Sequence, residues 1–317
     1  MRILVTGAGG FVGRHLVPDL VDAGHEPFLA SREEGSLAGL PVHPFDVAER
    51  DSVERIVKTA NPDAVIHLAG QASVPNSWSD PFTTYRTNVI GTNYLLDALR
   101  ERQGTRVLLI GSAQQYGPSD IGRALREDDP VSPASPYAIS KLAQEQTGML
   151  YSREFGIEVM ATRSFNHTGP GQGPHYAIGA FCQQVAEYQL GKRQRIEVGY
   201  LGNSRDYLDV RDVVIAYRRL IEGGRDRHVY NVCSGVPRRI GDLLEMLLQI
   251  AGIEGAEVTS DPMPREGDPE LLAGDPSKIA EHVGWSVKIP MRTSLEDTLA
   301  WYRSWLTDRT TTGPRSS

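Results

Sequence analysis

The chain has 317 residues, of which 40% are hydrophobic and 23% charged, and it carries a formal net charge of −7. That balance suits a globular protein with a proper core, and it excludes an electrostatic case for nucleic acid or an anionic membrane surface as partner. No apolar run approaches the roughly 18 residues of a membrane span, and two cysteines, Cys182 and Cys233, fit reduced thiols rather than a disulfide scaffold.

Arg2–Thr6 reads as a buried strand, which leaves no room for a signal peptide and sets the expectation of a cytoplasmic protein. Helical spacing follows over Arg14–Ala23. Pro27–Ala30 reads as a second strand, and Val42–Phe45 as a third, after a loop holding Gly35, Gly39 and Pro41. Ser52–Ala60 reads as a helix and Ala64–Leu68 as a fourth, wholly apolar strand. Pro81–Glu101 reads as one long helix, Val107–Ile110 as a strand, Pro136–Phe155 as a second long helix and Glu158–Thr162 as a sixth strand. Apolar strands alternating with helices predict an α/β fold: a Rossmann-type, doubly wound parallel sheet covered on both faces, with ligands at the carboxyl ends of its strands. Arg163–Gly173 is rich in glycine and proline and reads as a loop leaving the sheet. Ile178–Leu190 reads as an amphipathic helix. The expected division is a nucleotide-binding domain over 1–165, to which 208–232 returns. A smaller α/β substrate domain takes 166–207 and 233–306, and 307–317 form a frayed tail.

Gly7, Gly10 and Gly13 have the spacing G-x-x-G-x-x-G between a strand and a helix. Such a turn lets backbone approach a pyrophosphate, which the helix amino terminus then meets with amide N–H groups; Phe11 and Val12 belong to this turn. At the end of the second strand an acid would bond the ribose hydroxyls of NAD. Ser31 and Arg32 stand there instead, and a hydroxyl with a guanidinium suits the 2′-phosphate of NADP. The alternative is a solvated Arg32 neutralised by Glu33 and Glu34. Asp46 and Val47, after the third strand, are placed to meet an adenine ring or to cap the next helix. No Cys/His cluster has metal-ligand spacing, so no metal is expected.

Tyr137 and Lys141 lie four residues apart in Pro136-Tyr137-Ala138-Ile139-Ser140-Lys141. On a helix both project from one face, and the ammonium is expected to lower the phenol's pKa, so that the phenol can exchange a proton with a carbinol oxygen. Ser112, after the fifth strand, is a candidate donor to a substrate oxygen, or else a turn cap.

Together Ser112, Tyr137 and Lys141 form a triad that resembles that of the short-chain dehydrogenase/reductase family. Thr6–Gly13, His67-Leu68-Ala69-Gly70, Thr87-Asn88-Val89-Ile90-Gly91-Thr92 and Pro136–Lys141 are similar to segments of its extended branch, the nucleotide-sugar enzymes. The resemblance spans residue 1 to about 306. It implies that Leu68, Ala69 and Gly70 leave room for the cofactor, that Asn88 fixes the helix beside the nicotinamide, and that His67 is a packed strand residue. It implies contacts from Asn166 and His167 to a sugar or nicotinamide amide, with backbone satisfaction as the alternative. Arg205 and Arg265 would grip a nucleotide diphosphate, and Asp209 and Asp212 would cap and pair with backbone.

The strings Phe165–Gln172, Arg205–Val210 and Val229–Gly235 resemble those of the GDP-4-keto-6-deoxy-D-mannose reductases, which make GDP-D-rhamnose. The implied activity is NADPH-dependent reduction of a nucleotide-linked 4-keto-6-deoxyhexose at C4, with a GDP-sugar favoured and NAD(H) possible. The alternatives are a 4-epimerase or a 4,6-dehydratase of the same branch, and, from another class, a non-catalytic NADP-sensing regulator. Dehydration needs an acid two residues before Tyr116-Gly117, where this chain has Gln114. The resemblance also implies a homodimer, built by pairing the two long helices across a two-fold axis.

Overall fold

A computed structural model describes residues 1–118, 121–264 and 268–311. Strand β1 (Arg2–Thr6) leads into α1 (Phe11–Asp22), β2 (Glu26–Ser31), β3 (Gly35–Leu37), β4 (Leu40–Pro44), α2 (Arg50–Ala60) and β5 (Ala64–His67). Then come α3 (Val74–Ser79), α4 (Pro81–Tyr85), a π-helical turn at Arg86–Ile90, α5 (Gly91–Leu99), β6 (Arg106–Ile110), a 3-10 turn at Ala113–Gln115, α6 (Pro136–Phe155) and β7 (Glu158–Ser164). The second half holds β8 (Asn166–Thr168), α7 (Ala177–Gln189), β9 (Ile196–Val198), β10 (Ser204–Asp209), α8 (Val210–Gly223) and β11 (Val229–Val232). It ends with β12 (Pro237–Arg239), α9 (Ile240–Ala251), β13 (Val258–Ser260), β14 (Leu271–Leu272), α10 (Ser277–Val283) and α11 (Met291–Thr311).

The main sheet has eight strands in the order β11-β7-β6-β5-β1-β2-β4-β3, parallel except for the β3–β4 hairpin. The chain winds one way from β1 through β2 to β4 and the other way from β5 to β11, so the switch point lies between β1 and β5. Both faces are covered, which explains the unbroken apolar strands. Ile3, Val5, Ile66 and Leu108 enter one core with Leu16, Leu20, Val213 and Tyr217, from α1 and α8. Their neighbours Leu4, Val65, Val107 and Leu109 enter the other with Val53, Ile56, Leu95 and Leu99, from α2 and α5. A third core joins α7, α9 and α11 through Phe181, Val185, Leu244, Leu247, Leu295 and Leu299.

Three expectations are corrected. The helix expected over Pro81–Glu101 is broken by the π turn and ends at Leu99. The widened turn holds the buried Asn88, whose Oδ1 accepts from Gln71 N at 2.7 Å and whose Nδ2 donates to Ser140 Oγ at 2.9 Å. A π turn at a functional position has this use: an extra residue re-aims one side chain. The loop expected over Arg163–Gly173 is partly sheet. Arg163 and Ser164 end β7 against Asn231 and Val232, and Asn166–Thr168 pairs with Tyr207–Asp209. The partners are remote in sequence, and so short a polar strand has no alternation to announce it.

The tail expected to fray from 307 is helical to Thr311. Leu299 and Tyr302 are buried within α11, and Thr307 Oγ1 donates back to Arg303 O at 2.8 Å. Among the described residues, no helix is long and apolar enough to cross a membrane.

Candidate active site

The carboxyl ends of β1, β2, β5, β6 and β7 converge on one edge of the sheet. At β1 the chain turns through Gly7, whose φ is +72°. An added Cβ there would lie 2.8 Å from Ala69 N, so the β1 and β5 ends meet backbone to backbone. Gly13 seats α1 on the turn, since a Cβ would fall 2.3 Å from Ala8 O. Helix α1 begins after Gly10 with no side-chain cap. Its first-turn amides, from Phe11 to Gly13, are therefore the donors that an anion would meet. Val12 packs onto the core, while the Phe11 ring stacks on His167 at 6.2 Å. Ser31 closes β2 beside Gly9, and Arg32 is exposed just beyond it.

Asp46 is exposed and its Oδ1 accepts from Ala48 N at 2.9 Å, a turn cap; helix α2 starts at Glu49 without a side-chain cap. Val47 is buried against Gly91. Leu68, Ala69 and Gly70 follow β5. A Cβ on Gly70 would lie 3.0 Å from Asn88 Oδ1 and 3.4 Å from Lys141 Nζ. Three strand ends thus form a cradle walled by backbone, and these residues fit a dinucleotide with its diphosphate over α1.

Helix α6 carries two of the candidate residues, Tyr137 and Lys141. Ser135 Oγ accepts from Ala138 N at 3.1 Å and Pro136 takes the first helical position, so the helix start is set at this point. Tyr137, Ser140, Lys141, Gln144, Glu145 and Gly148 line its buried face, which is polar where a packed helix would be apolar. Ser112 Oγ accepts from Gln114 N at 3.2 Å. The turn-cap and active-site readings of Ser112 are therefore compatible: the cap occupies an acceptor lone pair and leaves the O–H to donate toward Tyr137.

Electrostatics correct one expectation. Lys141 does not lower the Tyr137 phenol; burial pushes that phenol up to about 12, with a hydrogen bond to Ser112 pulling the other way. The ammonium is turned instead to Ile110 O at 2.7 Å and Gln144 Oε1 at 2.9 Å. Burial lowers Lys141 to about 8. His67 is buried between Thr6 Oγ1 at 2.7 Å and Thr92 Oγ1 at 3.2 Å, and burial, with Lys141 adding, lowers it to about 3. It is a neutral packed residue, as expected.

On the substrate side, Asn166 and His167 lie on β8, and a His167 ring nitrogen bonds Phe165 O at 3.0 Å. Arg205 is buried on β10 and pairs with Asp268 at 2.6 Å. Arg265 lies outside the described residues. Asp209 caps α8 at Arg211 N, and Asp212 Oδ2 accepts from Lys288 N and Ile289 N. The sequence reading missed Gln115, Gln144, Glu145 and Arg163. Glu145 was within reach, since it continues the Tyr137–Lys141 spacing by one more turn. Gln115 was within reach as well, since Ser112-x-x-Gln115 has the spacing of a capping box, which the 3-10 turn forms.

A doubly wound sheet with a glycine turn, an uncapped first helix and Ser112, Tyr137 and Lys141 on one edge defines the class: dinucleotide-dependent oxidoreductases. The family described as GDP-mannose 4,6 dehydratase matches residues 4–298. GDP-6-deoxy-D-mannose reductase from Pseudomonas aeruginosa is 39% identical over 309 residues, covering 96% of this chain and 97% of that one. The solved structure of RMD from Pseudomonas aeruginosa complexed with NADPH superimposes with a TM-score of 0.85 at 37% identity, over 96% and 99% of the two chains. UDP-glucose 4-epimerase from Thermus thermophilus, in complex with NAD, gives a TM-score of 0.87 at 29% identity, over 96% and 99%. The chain belongs to the GDP-mannose 4,6-dehydratase family, within the extended short-chain dehydrogenases/reductases, and is an NAD(P)-dependent oxidoreductase.

Proposed function

We propose that the protein reduces the C4 ketone of a nucleotide-linked 4-keto-6-deoxyhexose with NADPH, converting GDP-4-keto-6-deoxy-D-mannose to GDP-D-rhamnose. The observation that carries this reading is the placement of Tyr137, Ser112 and Lys141 at the cradle formed by Gly7, Ala69 and Gly70. NADPH bound there supplies the hydride. Tyr137 gives its phenolic proton to the oxygen of the carbonyl as it becomes an alcohol. A phenol pushed up to about 12 by burial is protonated at neutral pH, so the proton is in place to be given. Ser112, whose acceptor side is taken by Gln114 N, donates to the same oxygen. Lys141 offers its remaining N–H to a ribose hydroxyl next to Gly70.

Ser31 and exposed Arg32 favour NADPH over NADH, and the NADPH held by the 37% identical Pseudomonas structure supports that preference. The reductase 39% identical to this chain supports a GDP-linked sugar. We assign the sugar nucleotide to the side built by 166–207 and 233–306, with Asn166 and His167 toward the sugar, and we keep Arg205 and, from sequence alone, Arg265 as its proposed diphosphate ligands. The exposed apolar residues Phe82, Ile90, Ile139 and Leu150, on α4, the π turn and α6, support a homodimer closed through these helices.

The rival is a 4-epimerase, which the similar NAD-bound Thermus structure keeps open. A dehydratase is disfavoured by Gln114, whose amide cannot exchange the proton. Incubation of the protein with NADPH and GDP-4-keto-6-deoxy-D-mannose separates these readings. Oxidation of NADPH in equal amount to the alcohol formed is expected; turnover of the sugar with no net NADPH loss would overturn the reduction.

A further inference from the structure

Ser112 is held from below by a buried chain of side chains that none of the roles above uses. Gln115 Oε1 accepts from Ser112 N at 2.9 Å, and Gln115 Nε2 donates to Glu145 Oε2 at 2.7 Å. Glu145 in turn accepts from Arg163, Nε to Oε2 at 3.0 Å and Nη2 to Oε1 at 2.8 Å. Arg163 also donates to Glu127 O at 3.1 Å and lies 4.8 Å over the Tyr116 ring. Gln115 is fully buried, and the side chains of Glu145 and Arg163 are 2% and 6% exposed.

We infer that Gln115, Glu145 and Arg163 form a positioning device that fixes the Ser112 hydroxyl relative to the Tyr137 phenol. This rests on the reading of Ser112 and Tyr137 given above. Glu145 follows Tyr137 by eight residues and Lys141 by four, so it rides on the rigid body that carries both. Gln115 belongs to the single 3-10 turn that carries Ser112, and Arg163 to β7. The chain therefore joins three elements that would otherwise set the Ser112–Tyr137 separation independently.

The amide is suited to the task. It must accept from Ser112 N and donate to a carboxylate at once, which neither an ionised carboxylate nor an apolar residue can do. Stability is a poor account of the pair behind it, because a buried ion pair gains little over packed apolar side chains of similar volume. Directional bonds do set position, and a displacement of about 1 Å between reacting groups can cost about 10²-fold in rate.

A double-mutant cycle tests this with Gln115→Met, which keeps the volume and removes both bonds. Gln115→Met in the wild-type background is expected to lower kcat about tenfold or more, with KM for the sugar and NADPH affinity unchanged. In a Ser112→Ala background the same change should cost no further kcat, since there is no hydroxyl left to misplace. An equal kcat loss in both backgrounds, or a loss confined to KM, would overturn the inference. Glu145→Gln keeps the side-chain shape but opposes an amide N–H₂ to Arg163. It goes through the same cycle and decides the matter if Gln115→Met cannot be purified. If Ser112→Ala alone left kcat intact, the assignment of Ser112 would fail, a result distinct from equal losses in the two backgrounds.

Discussion

Lys141 lies one helical turn beyond Tyr137, and its ammonium donates to the Ile110 carbonyl at 2.7 Å. The charge is thereby anchored to the end of β6, beside Gly70 and the mouth of the cradle. Its reach is toward the cofactor side, and the state of the phenol is left to burial and to Ser112.

Replacing Tyr137 by Phe removes the phenolic proton proposed above as the acid and keeps the ring. A positioned general acid is commonly worth about 10²–10⁴ in rate, so kcat should fall by that factor while NADPH still binds. Steady-state kinetics with a cofactor titration checks it, and full turnover would sink the assignment of Tyr137.

Burial lowers Lys141 to about 8, so it is charged below that pH and neutral above it. NADPH affinity should accordingly weaken as pH rises through about 8, whereas Lys141→Met should be weaker and without this step. The same shift acts on folding. Between about 8 and the ordinary lysine value of 10.5 the unfolded chain binds more protons than the folded one, so this group makes stability rise with pH there. Fluorescence titrations across pH test the first statement, and thermal melts of both proteins test the second.

Arg32→Ala should weaken NADPH and spare NADH. A charge-assisted hydrogen bond is worth about 1.5–3 kcal/mol, which corresponds to a roughly 10–100-fold rise in Kd for NADPH. Added salt should shrink the gap between wild type and variant, because Arg32 is exposed. Equal losses for both cofactors would place Arg32 outside the 2′-phosphate site.

Gly13→Ala should destabilise the fold as well as the turn. The new methyl would lie 2.3 Å from Ala8 O and 2.7 Å from Ala8 Cα, backbone atoms that cannot swing aside. Overpacking of this kind costs about 1–3 kcal/mol. Denaturant unfolding should register that loss together with weaker dinucleotide binding. Gly24→Ala, where nothing lies within 4 Å of the new methyl, isolates the cost of its positive φ alone.

Much of this molecule is written locally. Strand runs such as Ile3-Leu4-Val5 and Ala64-Val65-Ile66 are apolar on both faces because both faces are covered, and the glycine triplet and the Tyr137–Lys141 spacing work within one turn and one helix. Hence the parallel sheet, the strand ends that face its carboxyl edge and the shared face of Tyr137 and Lys141 were legible from residue types and periods. What escaped lies in contacts between segments. Asn166–Thr168 is a strand because Tyr207–Asp209 supplies the ladder, and the break in the helix from Pro81 falls where Asn88 bonds Gln71 and Ser140.

Short-range pattern alone carries the parallel sheet, the glycine turn and the placement of Tyr137 and Lys141 on one helical face. Only the tertiary structure decided the direction of the Tyr137 pKa, the neutral state of His67 and the chain from Gln115 through Glu145 to Arg163. Those depend on burial and on pairs 30 and 18 residues apart, such as Gln115 with Glu145 and Glu145 with Arg163, and no local period encodes them.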